Sequence, residues 1–277
     1  MKKIHLLLFS LLITTFSFAQ KKEKIKGTKI VTVTQKEIGS FDSIEIEDNL
    51  EIFLAKGGTQ GLEIEADENL HEVIMAELNG STLRLYTAKE VTGSKKLSIR
   101  VTYTDNLKSI TAKNEVVLNS LTDLQLDTIA IKNLDYSKSY LNVKSGNFSL
   151  SLNDKTTAEL NLQAESTAIE LSKGAQLKAL IASPEVKIDM YQKSIATIEG
   201  DAANAKIRLD NNATFTGRKF SVKNMELISE SYTTNVVNAL ETIIISVSGK
   251  SQTQLLGKPK VTVLNFADSA VISKKEQ

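Results

Sequence analysis

Residues 141–249 constrain the fold more tightly than any other part of the chain. Short phrases of alternating apolar and polar residues succeed one another, each broken by a polar turn: Leu141–Leu150, Leu160–Ile169, Ala179–Ile188, Lys206–Phe215, Met225–Tyr232 and Ile243–Ser251. Aligned on their turns, Gly146, Glu165 and Ser183 recur at steps of 19 and then 18, and Asn211, Glu230 and Gly249 at steps of 19 and 19. Asn114 and Asn133 keep the same step of 19. A fixed period near 20 marks a stacked repeat. Alternation with period 2 marks strands with one face buried. One such strand pair cannot bury its inner face alone; stacking coil on coil does so, with neighbouring coils supplying the backbone partners. The pattern therefore predicts an all-β chain, a β-solenoid of short parallel strands around an apolar axis. Eight or nine coils spaced about 4.8 Å apart would make a rod about 40 Å long.

The turn residues agree with this in part. Asn114, Asn133, Gly146, Asn211 and Gly249 belong to the types that tolerate positive φ, whereas Glu165, Ser183 and Glu230 do not. The period also slips. The step from Asn133 to Gly146 is 13 and that from Ser183 to Asn211 is 28, which reads as one shortened coil and one inserted loop around Glu199–Asn204. A leucine-rich repeat needs a helix and an L-x-x-L-x-L-x-x-N phrase in each unit, and neither is found.

Composition supports stacked strands. Aromatics are 5% of 277 residues, with no Trp and only two prolines, Pro184 and Pro259. Cysteine is absent, which removes disulfides, thiolate metal sites and a lipid-bearing N-terminal Cys.

Residues 1–19 read as a secretory signal peptide. Lys2 and Lys3 precede the apolar run Ile4–Phe18, and Ser17-Phe18-Ala19 is a small-x-small cleavage site. Loss of Lys2 and Lys3 leaves 32 of the 34 basic residues against 33 acidic ones, a formal charge of −1, and nothing in that balance points to nucleic acid. Residues 20–40 form a leader in which Lys29–Gln35 alternates as a strand would. Residues 41–104 differ from the repeat and read as a strand-rich cap over one end of the rod, which would otherwise expose an unpaired edge. Within it, Asp67–Glu77 is the one helix candidate, with Asp67 as N-cap and Leu70, Val73, Ile74 and Leu78 at helical steps. Asn79-Gly80 is a strong hairpin turn. Residues 105–272 hold the coils, and 273–277 a frayed tail.

The phrases Phe41–Ile46, Leu50–Leu54, Leu62–Leu70 and Gly80–Leu83, followed by Val247–Ser251 and Leu256–Pro259, resemble in their order the head GIN domain family of autotransporter adhesins. The likeness covers about 41–265. It implies a right-handed, single-stranded parallel β-helix in a secreted protein of a Bacteroidetes-type bacterium, with an adhesin-like role. Asp48-Asn49-Leu50 stands where that family often has G-I-N or G-G-I, and its S-G-S-G turns are mostly other polar residues here.

Catalytic constellations are scarce. Once His5 leaves with the signal, His71 is the only histidine, with no second His or Cys to complete a metal or acid–base site. Gly57-Gly58 lacks the G-K-S/T of a phosphate loop. Glu165, Glu185, Asp189, Asp210 and Glu230 could line up along stacked lanes, as the carboxylate pairs of glycan-cleaving β-helices require. Solvated turn and outer-face charges are the preferred reading of them. Asp42-Ser43-Ile44, Asp127-Thr128-Ile129 and Asp268-Ser269-Ala270 look like a short bacterial O-glycosylation signal.

No catalytic, cofactor or metal residues are assigned. The expected function is an exported non-enzymatic β-helix, an adhesin or scaffold for cell-envelope glycans or proteins. The alternatives are a carbohydrate-active enzyme using turn carboxylates and a structural envelope protein. No run of ten-residue alternating strands follows the coils to build an outer-membrane barrel.

Overall fold

The computed structural model describes residues 22–275; the expected signal peptide lies outside the described residues. The architecture is all-β, a parallel solenoid of about nine turns. Strands Lys138–Leu152 and Thr157–Leu171 lie side by side in parallel, with Lys138 beside Thr157 and Leu141 beside Leu160. The same step carries Thr157 to Gln176 and Gln176 to Ile195.

The coil beginning at Thr157 shows how one unit is built. A first run covers 157–164, a corner falls at Glu165, and a second run covers 166–171. Inside, Ala158, Leu160, Leu162, Ala164, Ile169 and Leu171 are all buried. The central lane of the second run is an aliphatic ladder. Ile44, Ile110, Ile131, Leu150, Ile169, Ile188, Ile207, Leu227 and Ile245 sit directly over one another, and none is more than 3% exposed. Each such side chain contributes about 1.5–3 kcal/mol on burial.

The second turn of the coil is a left-handed pair. Asp48-Asn49, Asn114-Glu115, Asp135-Tyr136, Asp154-Lys155, Gln192-Lys193 and Asn211-Asn212 all have positive φ at both positions, as do Lys173 and Gly174. Positive φ at both central residues is the type I′ arrangement. Bonds between coils join these turns to one another: the amide of Lys155 donates to Lys173 O at 3.1 Å, that of Gly174 to Gln192 O at 2.9 Å, and that of Lys193 to Asn211 O at 2.9 Å. The residue after each of these turns is buried; it is Leu50 and Val116 in the first two and small in the rest, Ser137, Thr156, Ala175, Ser194 and Ala213.

Each coil thus has two turns of different kinds, and this corrects the slipped period. Gly146 and Glu165 belong to the corner, while Asn114, Asn211 and Gly249 belong to the left-handed turn. The steps of 13 and 28 are jumps from one kind to the other. There is no shortened coil at 133–146, and no inserted loop at 199–204, because Ile195–Leu209 is one strand. Asn133 lies just ahead of its turn, where its amide donates to Ser139 Oγ at 2.5 Å. Gly146 does not use positive φ. A Cβ there would stand 2.9 Å from Asp127 O, so glycine serves close approach of two coils at the corner.

The N-terminal end breaks from the parallel pattern. Strands Thr82–Thr87 and Leu97–Tyr103 continue the stack beneath Ser43–Ile46 and Glu51–Lys56. Three antiparallel strands then finish the end: Ile74–Asn79 against Thr82–Thr87, Gly61–Asp67 against Leu97–Tyr103, and Val31–Glu37 against Gly61–Asp67. The short helix expected at Asp67–Glu77 is not formed. A single 3-10 turn covers Glu68–Leu70, and Ile74–Asn79 is a strand. The tight Asn79-Gly80 turn pairs Ile74–Asn79 with Thr82–Thr87, and that pairing outweighs the helical spacing of Leu70, Val73 and Ile74.

Asp67 makes no cap bond. Its buried carboxylate instead accepts the backbone N–H groups of Lys29 (2.9 Å), Lys95 (3.0 Å) and Lys96 (3.0 Å), tying the leader and the 93–96 loop to the cap. Burial is the largest single influence and pushes its pKa up. The three N–H bonds and the Lys29 charge together outweigh it and hold the carboxyl below its ordinary value.

Three outcomes follow for stability. Ile188→Ala, in mid-ladder, lowers the unfolding free energy by about 2–5 kcal/mol in urea titration. Asn211→Val lowers it by about 1–2 kcal/mol through left-handed strain, whereas Asn211→Gly leaves it nearly unchanged. The contribution of Asp67 is fully present above the ordinary carboxylate value of 3.8 and is lost as pH falls through its lower folded value. The gap in melting temperature between the natural protein and Asp67→Asn should therefore be widest near neutral pH and close in acid.

Candidate binding surface

The outward positions of the first run form three adjacent lanes. One carries Lys138, Thr157, Gln176 and Ile195, the next Tyr140, Glu159, Lys178 and Thr197, and the third Asn142, Asn161, Leu180 and Glu199. Parallel stacking fixes neighbouring members of a lane at the inter-strand distance, about 4.8 Å. The lanes line an open groove of about 660 Å³, continued by a smaller one of about 230 Å³. Tyr140, Leu180 and Ile195 are 43, 52 and 46% exposed within it. Large apolar side chains at outward positions are unneeded for folding, and amide, carboxylate and ammonium groups flank them. A ring face beside fixed hydrogen-bonding groups suits a ligand that is part apolar and part polar.

Other grooves are more polar. One of about 640 Å³ crosses the corner between Lys144, Glu165, Pro184, Asp201 and Lys223. Another follows a hydrogen-bonded ladder on the second run, in which Asn204 donates to Glu185 at 2.6 Å, Asn224 to Asn204 at 3.2 Å and Thr242 to Asn224 at 2.8 Å. A fourth, of about 620 Å³, lies at the base of the turn stack beside Lys22, Asp48, Glu115, Asp135 and Tyr136.

Of the carboxylates singled out in the sequence, Asp210 and Glu230 are neighbours and the other three stand apart. Asp210 and Glu230 occupy equivalent positions on neighbouring coils, since Leu209 is paired with Ser229. Both are engaged: Asp210 accepts from Ser231 Oγ at 2.5 Å, and Glu230 pairs with Arg208 at 3.1 Å. Glu165 is at the corner. Glu185 accepts from Asn204, and Asp189 pairs with Lys187 at 2.8 Å, each in its own lane. The Glu230 and Asp189 carboxylates raise the pKa values of Arg208 and Lys187, chiefly through those bonds. Among the described residues no group of three or more His, Asp or Glu could hold a metal ion.

His71 belongs to the cap, where Nε2 lies 2.9 Å from Thr32 Oγ1 and 3.2 Å from Thr32 O. Gly57-Gly58 is a surface turn beside Thr102. Of the three Asp-Ser/Thr triplets, Thr128 at a corner and Ser269 at a left-handed turn are exposed, whereas the Ser43 hydroxyl donates to Asp42 at 2.9 Å. Asp48 and Asn49, at the place of the G-I-N phrase, form the first left-handed pair of the turn stack. That conformation accounts for a glycine preference there, with Asp and Asn as tolerated substitutes. The repeat pattern alone does not reveal the groove around Tyr140, although the chain carries a signal for it. Leu180 and Ile195 are apolar at the polar phase of the alternation.

A parallel solenoid with a capped N-terminal end and open outer grooves defines a rod-like protein scaffold. Its sequence pattern places it more closely. The chain belongs to the family described as "Putative auto-transporter adhesin, head GIN domain", which matches residues 40–259. Three solved structures share the fold across 91% of this chain. A "putative adhesin" from Parabacteroides merdae is 13% identical with a TM-score of 0.67, and 99% of it is covered. A "putative adhesin" from Parabacteroides distasonis is 15% identical with a TM-score of 0.69, and 100% of it is covered. A "Putative lipid binding protein", also from Parabacteroides distasonis, is 14% identical with a TM-score of 0.65, and 100% of it is covered. No curated protein matches the chain. No helix among the described residues is long and apolar enough to cross a membrane.

Proposed function

We propose that this protein is an exported, non-enzymatic binding module of adhesin type, holding cell-envelope glycans or proteins along the Tyr140 face. The observation that carries this reading is the open groove in which Tyr140, Leu180 and Ile195 are exposed among polar lanes. Long grooves crossing several coils suit extended polymers. A repeating polar row offers the same hydrogen-bonding groups at each step along such a ligand. Family membership supports the adhesin role. Asp210 and Glu230 are each engaged by another side chain and the remaining three carboxylates stand apart, which weighs against glycan cleavage, a reaction that needs two carboxyl groups facing one bond about 5–9 Å apart.

In this reading residues 1–19 are the signal peptide, 20–40 the leader, 41–104 the cap, 105–272 the coils and 273–277 the tail. The coil is right-handed, the hand that parallel crossovers take.

The test is a glycan array with an envelope pull-down, using protein that starts at Gln20. Tyr140→Ala combined with Leu180→Ser should weaken binding about tenfold or more, as loss of a buried aromatic anchor does. Glu165→Gln, at the corner and in a different groove, should leave it unchanged. Binding that survives changes in every groove would refute the proposal. Chain cleavage of a bound glycan that disappears in Glu230→Gln would establish the enzymatic alternative.

A further inference from the structure

We infer that the C-terminal end of the rod docks on a lipid bilayer bearing anionic headgroups. The last coil consists of Lys260–Phe266 and Val271–Lys274. Among the described residues each is paired along one edge only, the first with Thr234–Val247 and the second with Gln252–Leu256. Val261, Val263 and Phe266 continue the inner lanes of Ile243, Ile245 and Val247. Those three partners are fully buried, whereas Val261, Val263 and Phe266 are 45, 48 and 57% exposed, because no coil of the described residues lies above them. The register slips between Ile245 and Ser246, and this throws Leu264 out, 71% exposed. One strand therefore shows four large apolar side chains at the tip of the rod, a patch of the kind that marks an interaction site.

The charge around this tip is mainly positive. Lys258, Lys260, Lys274 and Lys275 lie in the same terminal layer, and all are exposed. Across 257–275 the single acidic side chain is Asp268, and it accepts the Gly249 N–H at 2.9 Å. An apolar tip ringed by lysines is complementary to a membrane in two ways. The lysines meet headgroup phosphates, and Leu264 and Phe266 reach the acyl boundary beneath. The free backbone N–H groups of the edge stay at headgroup depth, where phosphate oxygens and water accept from them; they could not be carried deeper unpaired.

A second copy of the chain is the competing occupant, since an open edge invites strand pairing. Two such tips facing one another would bring both sets of four lysines together. The opposite end is not a match either. Opposite the buried Ala66, Ile64 and Leu62, the edge strand Val31–Glu37 places Thr32, Thr34 and Lys36, a polar finish that blunts pairing.

Co-sedimentation with vesicles tests the proposal, again with protein that starts at Gln20. The two probes are vesicles of phosphatidylcholine alone and vesicles of phosphatidylcholine with phosphatidylglycerol. Binding is expected to the mixed vesicles only, and to fade at high salt. Each of Lys258→Gln, Lys260→Gln and Lys274→Gln should weaken it about fivefold. Leu264→Gln with Phe266→Gln should abolish it, and Leu264→Gln alone, at a side chain 71% exposed, should weaken it while leaving the melting temperature unchanged. Lys144→Gln and Lys223→Gln, at the corner groove, should have no effect. No binding, equal binding to both vesicles, or indifference to the tip variants would overturn the proposal. So would a vesicle-free dimer, seen by sedimentation velocity, that strengthens with salt and dissociates in the Leu264/Phe266 variant. That result would assign the tip to a second copy.

Discussion

Coil-to-coil registry is the constraint on which this protein depends. Each strand finds its backbone partners one coil earlier and one coil later, as Leu160 does with Leu141 and Ala179, so a coil has no hydrogen-bonded neighbour except the coils above and below it. The same registry places like on like inside. The ladder from Ile44 to Ile245 works because β-branched and Leu side chains of similar width stack without leaving a gap. The left-handed turns obey the same rule. Their amide-to-carbonyl bonds run between turns of adjacent coils, so a turn that departed from positive φ would break partners in two coils at once.

Such a structure has a problem at its ends, and the two ends treat it differently. At the N-terminal end three antiparallel strands replace the parallel ones, the outermost turns polar residues inward, and Asp67 gathers loop amides from two separate segments. At the C-terminal end the apolar lanes simply stop at Val261, Val263 and Phe266. Along the sides, outward residues are free of packing duties, and there the exposed Tyr140, Leu180 and Ile195 gather. Rod, sides and tip therefore carry different duties. The rod supplies rigidity, and the sides and tip present chemistry at spacings that the strands set.

Much of this is legible in the chain, and the misreadings have physical causes. A period of 2 within a phrase and of 19 between phrases survives in the sequence because every coil buries equivalent positions. The apparent slips arise because two kinds of turn, a corner and a left-handed pair, both attract Gly, Asn and polar residues, so composition alone does not separate them. Pro184 stands at the corner while the adjacent Ser183 is buried and bonded to Thr167. At 67–77 the spacing of Leu70, Val73 and Ile74 satisfies a helix as well as a strand and turn. Pairing of 74–79 with 82–87 decides between them, and that contact is only partly local, because Thr82–Thr87 is itself held by Ser43–Ile46 from the far side.

By itself the sequence determined the class of fold, the repeat length, the polar outside and the apolar inside, since these depend on each residue's own preference for water and on spacing along the chain. Only the tertiary structure decided which outward residues become neighbours. Tyr140, Leu180 and Ile195 are far apart in the chain, and they share a face because the coils that carry them, begun by Lys138, Thr157, Gln176 and Ile195, are of equal length. Adding one residue to any of those coils would move the later side chains to the other side of the sheet. The chemistry of the surface is therefore a property of the stack, and no single phrase contains it.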